Sequence, residues 1–442
     1  MFRDNPPSSA NRVTSLLPFM PALVIVAACG GSAEAGSAGD AGALDGPDIA
    51  LDPQTEEVYT VGALEGEDWE TFGNVSDVAF DDDGNLFLLD RDAGHIVMFS
   101  PTGEFVRTIG QQGDGPGELA GPLGLALMPG DRVVVFDFAK QGFQVFTTGG
   151  EFVESVALDP QEGLPGRELL VTPSGRLATH GGIRMSFNSD GGGLEEPVGR
   201  PIETFGLDGS RNVVYTAWES PPPEDEDEAE LSGEGGRIQL RMQQTIAFEP
   251  GLHLGILPDG RMAVADSVGY RVKLLRDGTV VSTLERPVVP TVVDESIEEM
   301  ERERRLAQLE EGGGSGRMMV VSASGGSGGN ISVGRDQINE MMRGQIEGMG
   351  FAPEIPVIED LAVDREGRIW VQRAGPMPGE DGPTDIITAD GRYLGTIDAD
   401  GLRIPAAFGP DGLVAYIERD ELEVQRVRVA RLQRDGELET GR

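Results

Sequence analysis

The sequence predicts an all-β fold, a six-bladed β-propeller, and three observations support this prediction. Apolar runs that alternate with polar residues recur along the chain, and the copy at 75–110 reads VSDVAFDDDGNLFLLDRDAGHIVMFSPTGEFVRTIG, which indicates four short strands. Glycine turns recur at a nearly constant spacing. An isolated strand pattern at 56–62 precedes the first repeat, whereas the last repeat, at 404–434, has strands but no clear second glycine turn.

The turns define the repeat. Gly84, Gly130 and Gly175 follow one another after 46 and 45 residues, and Gly367 and Gly412 are again 45 residues apart. Hairpin turns often require a positive φ, which glycine adopts without steric cost. Four antiparallel strands repeated six times are typical of a propeller. The first turn occurs at 82–86, 129–133, 173–177, 258–262, 365–369 and 410–414, and the second at 102–106, 149–153, 208–212, 277–281 and 390–394.

The isolated strand at 56–62 is expected to complete the last blade. That pairing closes the ring and removes an exposed sheet edge. The propeller is therefore expected to span 53–435, with a C-terminal tail at 436–442.

The glycine-rich segment GQQGDGPGELAGP, at 110–122, lies between two of these repeats. It resembles a phosphate-binding loop in composition, but no lysine or helix start follows it, and Asp114 and Glu118 would repel phosphate. We therefore predict a corner between the first and second blades.

The N-terminus reads as a lipoprotein signal peptide at 1–28. Arg3 and Arg12 precede the apolar run LLPFMPALVIVAA, and the sequence VAAC ends at Cys29, the only cysteine, which is the expected lipidation site. The alternative is a lone buried thiol after an ordinary leader. Gly30 in place of an aspartate favours the outer membrane, facing the periplasm or the cell surface. Residues 29–52 are small and acidic and are expected to be a flexible tether.

Net charge excludes one class of partner. The formal net charge of −41 repels phosphate backbones, so nucleic-acid binding is not expected, and membrane attachment is expected through lipid alone.

Four long insertions interrupt the repeats at 181–200, 217–248, 286–352 and 374–384. All four fall in connections that leave the blades on the same face, which favours a binding face over neutral variation in loop length. The insertion at 286–352, between blades 4 and 5, is expected to be partly helical. A capping-box pattern, Ser296-x-x-Glu299, begins a helix at 294–311, and a second helix is expected at 336–350. These helices are expected to form a lid or to pack on the scaffold.

The pattern from Asp90 to Phe99, followed by G-E-F and then by G-x-G-P-G-E-L and a proline, resembles the NHL-type six-bladed propellers of the TolB-like superfamily. The match is good over 74–158 and fair at 252–285. The resemblance implies the propeller fold, and it allows a lactonase-like enzyme, since related six-bladed enzymes use a central metal ion.

The candidate site lies where second strands end. Asp90, Asp137 and Asp266 end the second strand of three blades, and His180 and Arg373 hold equivalent positions in two others, so all five are expected near the channel mouth on the elaborated face. Carboxylates from separate blades could hold calcium or another divalent cation. Alternatively, each aspartate caps the following loop through its backbone N–H groups. No catalytic residue or resident cofactor is predicted.

We therefore expect a cell-envelope binding or scaffold module rather than an enzyme. Its partner is expected to be a protein or peptide at the elaborated face, and a small molecule is also compatible. The alternative is a metal-dependent hydrolase or lyase with carboxylates at the channel mouth.

Overall fold

The structure, a computed structural model, describes residues 44–182, 184–188, 191–195, 199–217, 226–233, 236–243, 246–312, 320–321, 331–332, 335–420 and 422–433. Cys29, the predicted signal peptide and the tail at 436–442 lie outside these residues. None of the described helices is both long and apolar enough to cross a membrane.

Two strands precede the first blade, and blades 1 to 3 follow them. Strands at 184–188 and 191–195 form a hairpin inserted in blade 3, and a second hairpin and a short strand lead to blade 4. The strands are β1 (Ala50–Leu51), β2 (Thr55–Val61), β3 (Val75–Phe80), β4 (Leu86–Asp90), β5 (His95–Phe99), β6 (Phe105–Ile109), β7 (Pro122–Met128), β8 (Arg132–Asp137), β9 (Gly142–Thr147), β10 (Phe152–Ala157), β11 (Leu170–Val171), β12 (Leu177–Thr179), β13 (Arg184–Asn188), β14 (Gly191–Glu195), β15 (Arg200–Phe205), β16 (Arg211–Ala217), β17 (Glu226–Gly233), β18 (Gly236–Gln243) and β19 (Ile246–Ala247).

Blades 4 to 6 complete the chain, and two helices lie between blades 4 and 5. The elements are β20 (His253–Ile256), β21 (Met262–Ala265), β22 (Arg271–Arg276), β23 (Thr279–Glu285), β24 (Thr291–Val292), α1 (Glu295–Gly312), β25 (Val320–Val321), β26 (Ile331–Ser332), α2 (Arg335–Glu347), β27 (Gly350–Phe351), β28 (Glu354–Ile355), β29 (Ile358–Val363), β30 (Arg368–Ala374), β31 (Asp381–Thr388), β32 (Tyr393–Ile397), β33 (Ala407–Phe408), β34 (Leu413–Arg419) and β35 (Gln425–Leu432).

Six sheets of four antiparallel strands, the fifth of them extended by β1, confirm the predicted six-bladed propeller. The first strands of neighbouring blades contact each other and so surround the axis. The glycines at the six first turns have φ between +74° and +84°, as the hairpin geometry requires. The segment at 110–121 joins β6 to β7, which confirms the predicted corner, and Lys140 Nζ donates to the Gly115 and Glu118 carbonyls there.

Strand β2 closes the ring, as predicted. It pairs antiparallel with β35, with Thr55 opposite Leu432, and forms the outer strand of blade 6. Arg365 adds a second link on the face that carries the first turns of the blades. Its guanidinium donates to the Phe80 and Phe408 carbonyls and pairs with Asp82. One arginine therefore joins blades 5, 6 and 1.

The hydrophobic core consists of six clusters, one at each junction between neighbouring blades. Phe87 and Leu89 of blade 1 pack with Val133 and Val135 of blade 2, and the same arrangement recurs around the ring. Each sheet therefore buries apolar side chains on both faces.

The tether prediction is wrong for its last residues. Residues 44–51 lie on the ring, because Leu44 packs against the cluster between blades 4 and 5 and β1 pairs parallel with β32. The Thr396 amide donates to the Ile49 carbonyl at 2.7 Å. No hydrophobic period marks this contact, which explains why the composition suggested a tether.

The four insertions all leave the blades on one face, which we call the loop face. Hairpins β13–β14 and β17–β18 lie in the first two, and α1 and α2 in the third. Asp294, rather than the predicted Ser296, caps α1, because its carboxylate accepts hydrogen bonds from the Ser296 and Ile297 amides. The helix begins at Glu295, two residues earlier than a Ser296 cap would allow. Arg343 of α2 pairs with Glu310 of α1 at 3.0 Å.

Removal of the closing strand should destabilise the ring. Val58, Tyr59 and Val61 pack against the cluster between blades 6 and 1, so a chain that starts at 63 should lose roughly 3–5 kcal/mol of unfolding free energy relative to one that starts at 53. It also exposes the edge of β35. Urea unfolding of both chains measures the difference, and equal midpoints would show that the ring closes without β2.

Candidate functional site

The channel mouth on the loop face is built from the first residues of the inner strands. Each inner strand enters the ring from this face, so Asp77 of β3, His253 of β20 and Asp360 of β29 lie near the same end of the channel. The segment that leads into β11 contributes Arg167 and Glu168. The first three positions of an inner strand, and the residues just before it, therefore form the mouth.

Two histidine–carboxylate pairs stand at this mouth. His180 Nε2 lies 3.3 Å from Glu168 Oε2, and His253 Nδ1 lies 3.6 Å from Asp360 Oδ1. Both imidazoles are largely buried, whereas both carboxylates are about half exposed. A neighbouring carboxylate orients an imidazole and leaves its other nitrogen to bind a polar group.

Two further carboxylates at the mouth are held in surroundings that favour their protonated forms. Burial raises the pKa of Asp77 to about 7, although hydrogen bonds from the Leu125 and Val78 amides oppose the rise. Burial and the nearby Asp381 and Asp360 carboxylates also raise the pKa of Glu359. The mouth therefore concentrates negative charge that is costly to maintain, and a cationic ligand would relieve this cost.

Helix α1 brings basic groups to the same region. Arg304 lies against Gly379 in the connection between β30 and β31, and it contributes an attractive charge to Glu359. It also pairs with the buried Glu301, at 2.8 Å between Nε and Oε2. Burial opposes ionisation of Glu301, but hydrogen bonds from Arg304 and Arg305 outweigh it and lower the pKa of Glu301. These ion pairs lie within α1 and stabilise the helix itself.

The five predicted site residues have different roles in the structure. Asp90 accepts hydrogen bonds from the amides of Gly73, Asn74, Asp92 and Ala93, and its side chain is fully buried. This is the capping alternative, and the Asp90 oxygens are directed at backbone donors rather than at the channel.

Asp137 has the same role in blade 2. Its carboxylate accepts from the Ala120, Gly121 and Lys140 amides at 2.7–3.1 Å. In blade 4, Asp266 instead binds Lys273 Nζ at 2.7 Å and the Tyr215 hydroxyl at 3.0 Å. Burial opposes the charge on Lys273, but its hydrogen bonds to Asp266 and Tyr215 raise the pKa of Lys273.

The structure therefore does not gather the five predicted residues into one centre. Of these, His180 stands at the mouth, and Arg373 lies between blades 4 and 5, where it pairs with Asp48. Across the described ranges, no group of three or more His, Cys, Asp or Glu side chains is placed to hold a metal ion. The carboxylate oxygens of Asp90 and Asp137 accept hydrogen bonds from backbone amides, and this arrangement does not fit a metal ion shared between blades.

Sequence reasoning missed Asp77, Glu168, Glu359 and Asp360. The usable signal was a charged residue at the second or third position of an otherwise apolar inner strand, as in VSDVAF and IEDLAV. In a sheet covered on both faces, such residues must lie at the channel or at a blade end.

The chain is a six-bladed β-propeller. The family model DUF5128, described as a 6-bladed beta-propeller, matches residues 56–161, which is less than half of the chain. No curated protein matches the sequence. The finer assignment to NHL-type or TolB-like propellers stays a prediction.

Several solved structures are similar to this chain over most of its length. A Bacteroides fragilis protein, BF0058, is 10% identical, with 88% of this chain and 98% of that chain covered and a TM-score of 0.46. A DUF4221 family member from Bacteroides vulgatus is 10% identical, with 86% and 99% covered and a TM-score of 0.42. A streptogramin B lyase is 11% identical, with 86% and 98% covered and a TM-score of 0.40. At these identities, the similarity concerns the fold alone.

Asp137→Asn should destabilise the protein independently of divalent cations. The amide nitrogen of asparagine would face a backbone N–H, and loss of one charge-assisted bond in a buried site costs about 2–4 kcal/mol. Thermal melts with calcium and with chelator should show the same loss. Asp131→Asn, at an exposed turn, is the matched control and should change little. A calcium-dependent stabilisation that vanishes in Asp137→Asn would contradict the capping role.

Asp77→Asn should remove part of the pH dependence of stability. Because the pKa of Asp77 is raised to about 7, the folded state binds its proton more tightly than the unfolded chain, and this stability is lost as the pH rises from about 4 to about 7. Relative to the wild type, the unfolding free energy of the variant should rise by on the order of 2 kcal/mol as the pH rises through this range. Melts between pH 4.5 and 8 at fixed ionic strength test this, with the exposed Asp83→Asn as control. Parallel profiles would refute the raised pKa.

Proposed function

We propose that the protein is a binding or scaffold module of the bacterial cell envelope, and that a protein or peptide docks on its loop face. The carrying observation is the one-sided distribution of the insertions: two hairpins, a helix pair and the β30–β31 connection all rise on the face that holds the channel mouth. The turns on the opposite face are short. Rigid scaffolds carry binding residues on loops placed in this way.

The charge of the mouth defines the kind of partner. Asp77, Glu168, Glu359 and Asp360 outnumber Arg167 and Arg304 there, and burial disfavours ionisation of two of these carboxylates. A partner that brings a lysine, an arginine or an amino terminus would supply the missing positive charge. Attachment to the membrane through Cys29 is part of this proposal and rests on the sequence pattern.

The competing proposal is a metal-dependent hydrolase or lyase. The observation in its favour is the presence of two histidine–carboxylate pairs at the channel mouth, where a bound substrate could meet a general base. It predicts cation-dependent turnover of a lactone or ester that is lost in His253→Ala.

Charge reversal on the two faces tests the binding proposal. Asp360→Lys at the mouth should abolish cross-linking of an envelope partner, whereas Glu104→Lys, an equivalent reversal on the opposite face, should leave it unchanged. Quantitative mass spectrometry after cross-linking in membrane fractions measures both. A partner lost equally with both variants would overturn the assignment of the loop face.

A second variant removes the helical insertion. The Val293 amide donates to the Pro353 carbonyl at 3.0 Å, so a short glycine–serine loop can join these positions without opening the ring. We expect this variant to fold and to lose at least about tenfold in partner affinity. Retained affinity would place the binding surface elsewhere, and lactone turnover in place of binding would favour the enzyme.

A further inference from the structure

Two arginines between blades 4 and 5 hold one carboxylate of the N-terminal segment. Arg286 follows β23, and Arg373 lies in β30. The Asp48 Oδ1 atom lies 2.7 Å from Arg286 Nη2, and Asp48 Oδ2 lies 2.7 Å from Arg373 Nη2. Each oxygen of a single carboxylate therefore meets a different guanidinium, which is a favourable geometry for carboxylate recognition.

The two arginines and the carboxylate beneath them, Asp385, together have one excess positive charge, which a single anion can balance. Asp385 is fully buried and lies 3.6 Å from Arg286 Nε and 3.5 Å from Arg373 Nη2, at the outer limit of hydrogen bonding. It neutralises one of the two cations. The second cation needs a further carboxylate, which Asp48 supplies from outside the blades.

The arginines are held in place and retain unused donors. The Arg286 guanidinium stacks on the Tyr393 ring, 3.8 Å from its centre, and 3% of its side chain is exposed. Within the described residues, Arg286 Nε and Nη1 and Arg373 Nε have no hydrogen-bond acceptor. Buried guanidinium donors without acceptors are costly, so the contacts of this pair do not use its full capacity to donate hydrogen bonds.

A cavity lined mostly by apolar residues adjoins Arg373, one member of the arginine pair. It has a volume of about 220 Å³, and Arg373 forms part of its wall together with Val288, Pro290, Ile355, Val357 and Pro383. Val289 in the same wall is 83% exposed, so the rim is apolar as well. An apolar cavity of about 150 Å³ accepts benzene, so this volume suits a small apolar acid.

The Asp48 contact is accessible to competition. The Asp48 side chain is 47% exposed, and β1 pairs with β32 over only two residues. A ligand carboxylate could replace the Asp48 side chain without opening the ring, because blades 4 and 5 each have four strands of their own.

We propose that the Arg286–Arg373 pair and the adjoining cavity bind the carboxylate of a small apolar acid, and that Asp48 occupies this site until the ligand displaces it. The site is separate from the channel mouth and does not depend on the proposed function. Binding would release the Asp48 side chain from the two guanidinium groups.

Titration calorimetry of the whole chain with 4-methylpentanoate tests the proposal. Wild type should bind in the millimolar range, and Asp48→Asn should bind at least about tenfold more tightly, because the intramolecular competitor is lost. The uncharged 4-methylpentanamide should bind neither form measurably. Asp52→Asn, an exposed aspartate of the same segment, should match wild type.

Arginine variants provide the second arm. Arg373→Lys keeps the positive charge but not the planar donors, and it should lose most of the affinity gained in the Asp48→Asn background. A cooperative melt of each variant shows that it is folded. Equal affinity of wild type and Asp48→Asn, equal binding of acid and amide, or no acid binding by Asp48→Asn up to about 20 mM would overturn the proposal.

Discussion

Burial of both faces of every blade is the constraint on which the rest of the structure depends. A sheet that is apolar on two sides needs a partner on each, and six such sheets satisfy one another only when they close into a ring. The first and last blades therefore have to meet, and the chain achieves this by lending β2 to the last blade. The alternating direction of the strands places the first and second turns on one face and all four long insertions on the other.

Charged groups inside this ring have two different roles. Asp90 and Asp137 end buried strands and accept hydrogen bonds from backbone N–H groups of two connections, the one before the inner strand of their blade and the one after their own strand. Asp77 and Glu359 lie at the channel, where burial disfavours their ionisation more than the nearby Arg167 and Arg304 charges favour it. The first role stabilises the fold, whereas the second raises the pKa of a carboxyl group, and raised pKa values are often found at sites that bind ligands.

The helical insertion and the N-terminal segment are both attached at the junction of blades 4 and 5. Helix α1 lies against the connection from β30 to β31, and β1 extends the outer edge of the same blade. This junction also holds Arg286 and Arg373 beside the apolar cavity. Blade 5 therefore carries contacts that could link the tether to the ring surface.

The sequence by itself determined the blade repeat, the glycine turns and the closing strand. These features are local: strand alternation follows a period of two residues, and Gly84 and Gly391 show the positive φ that their turns require. It also located the loop face, since chain direction alternates regularly. It predicted His180 at the mouth but assigned Asp90, Asp137 and Asp266 no unique role, because a strand-end aspartate suits both capping and metal binding.

Only the tertiary structure decided which distant groups meet. Asp48 and Arg373 are separated by 325 positions in the sequence, and the composition of 44–51 is that of a linker. The pairs His180–Glu168 and His253–Asp360 likewise depend on how separate strands are placed side by side. Burial, hydrogen bonding and charge at these points arise from the packing of one blade against the next, and no local pattern records them.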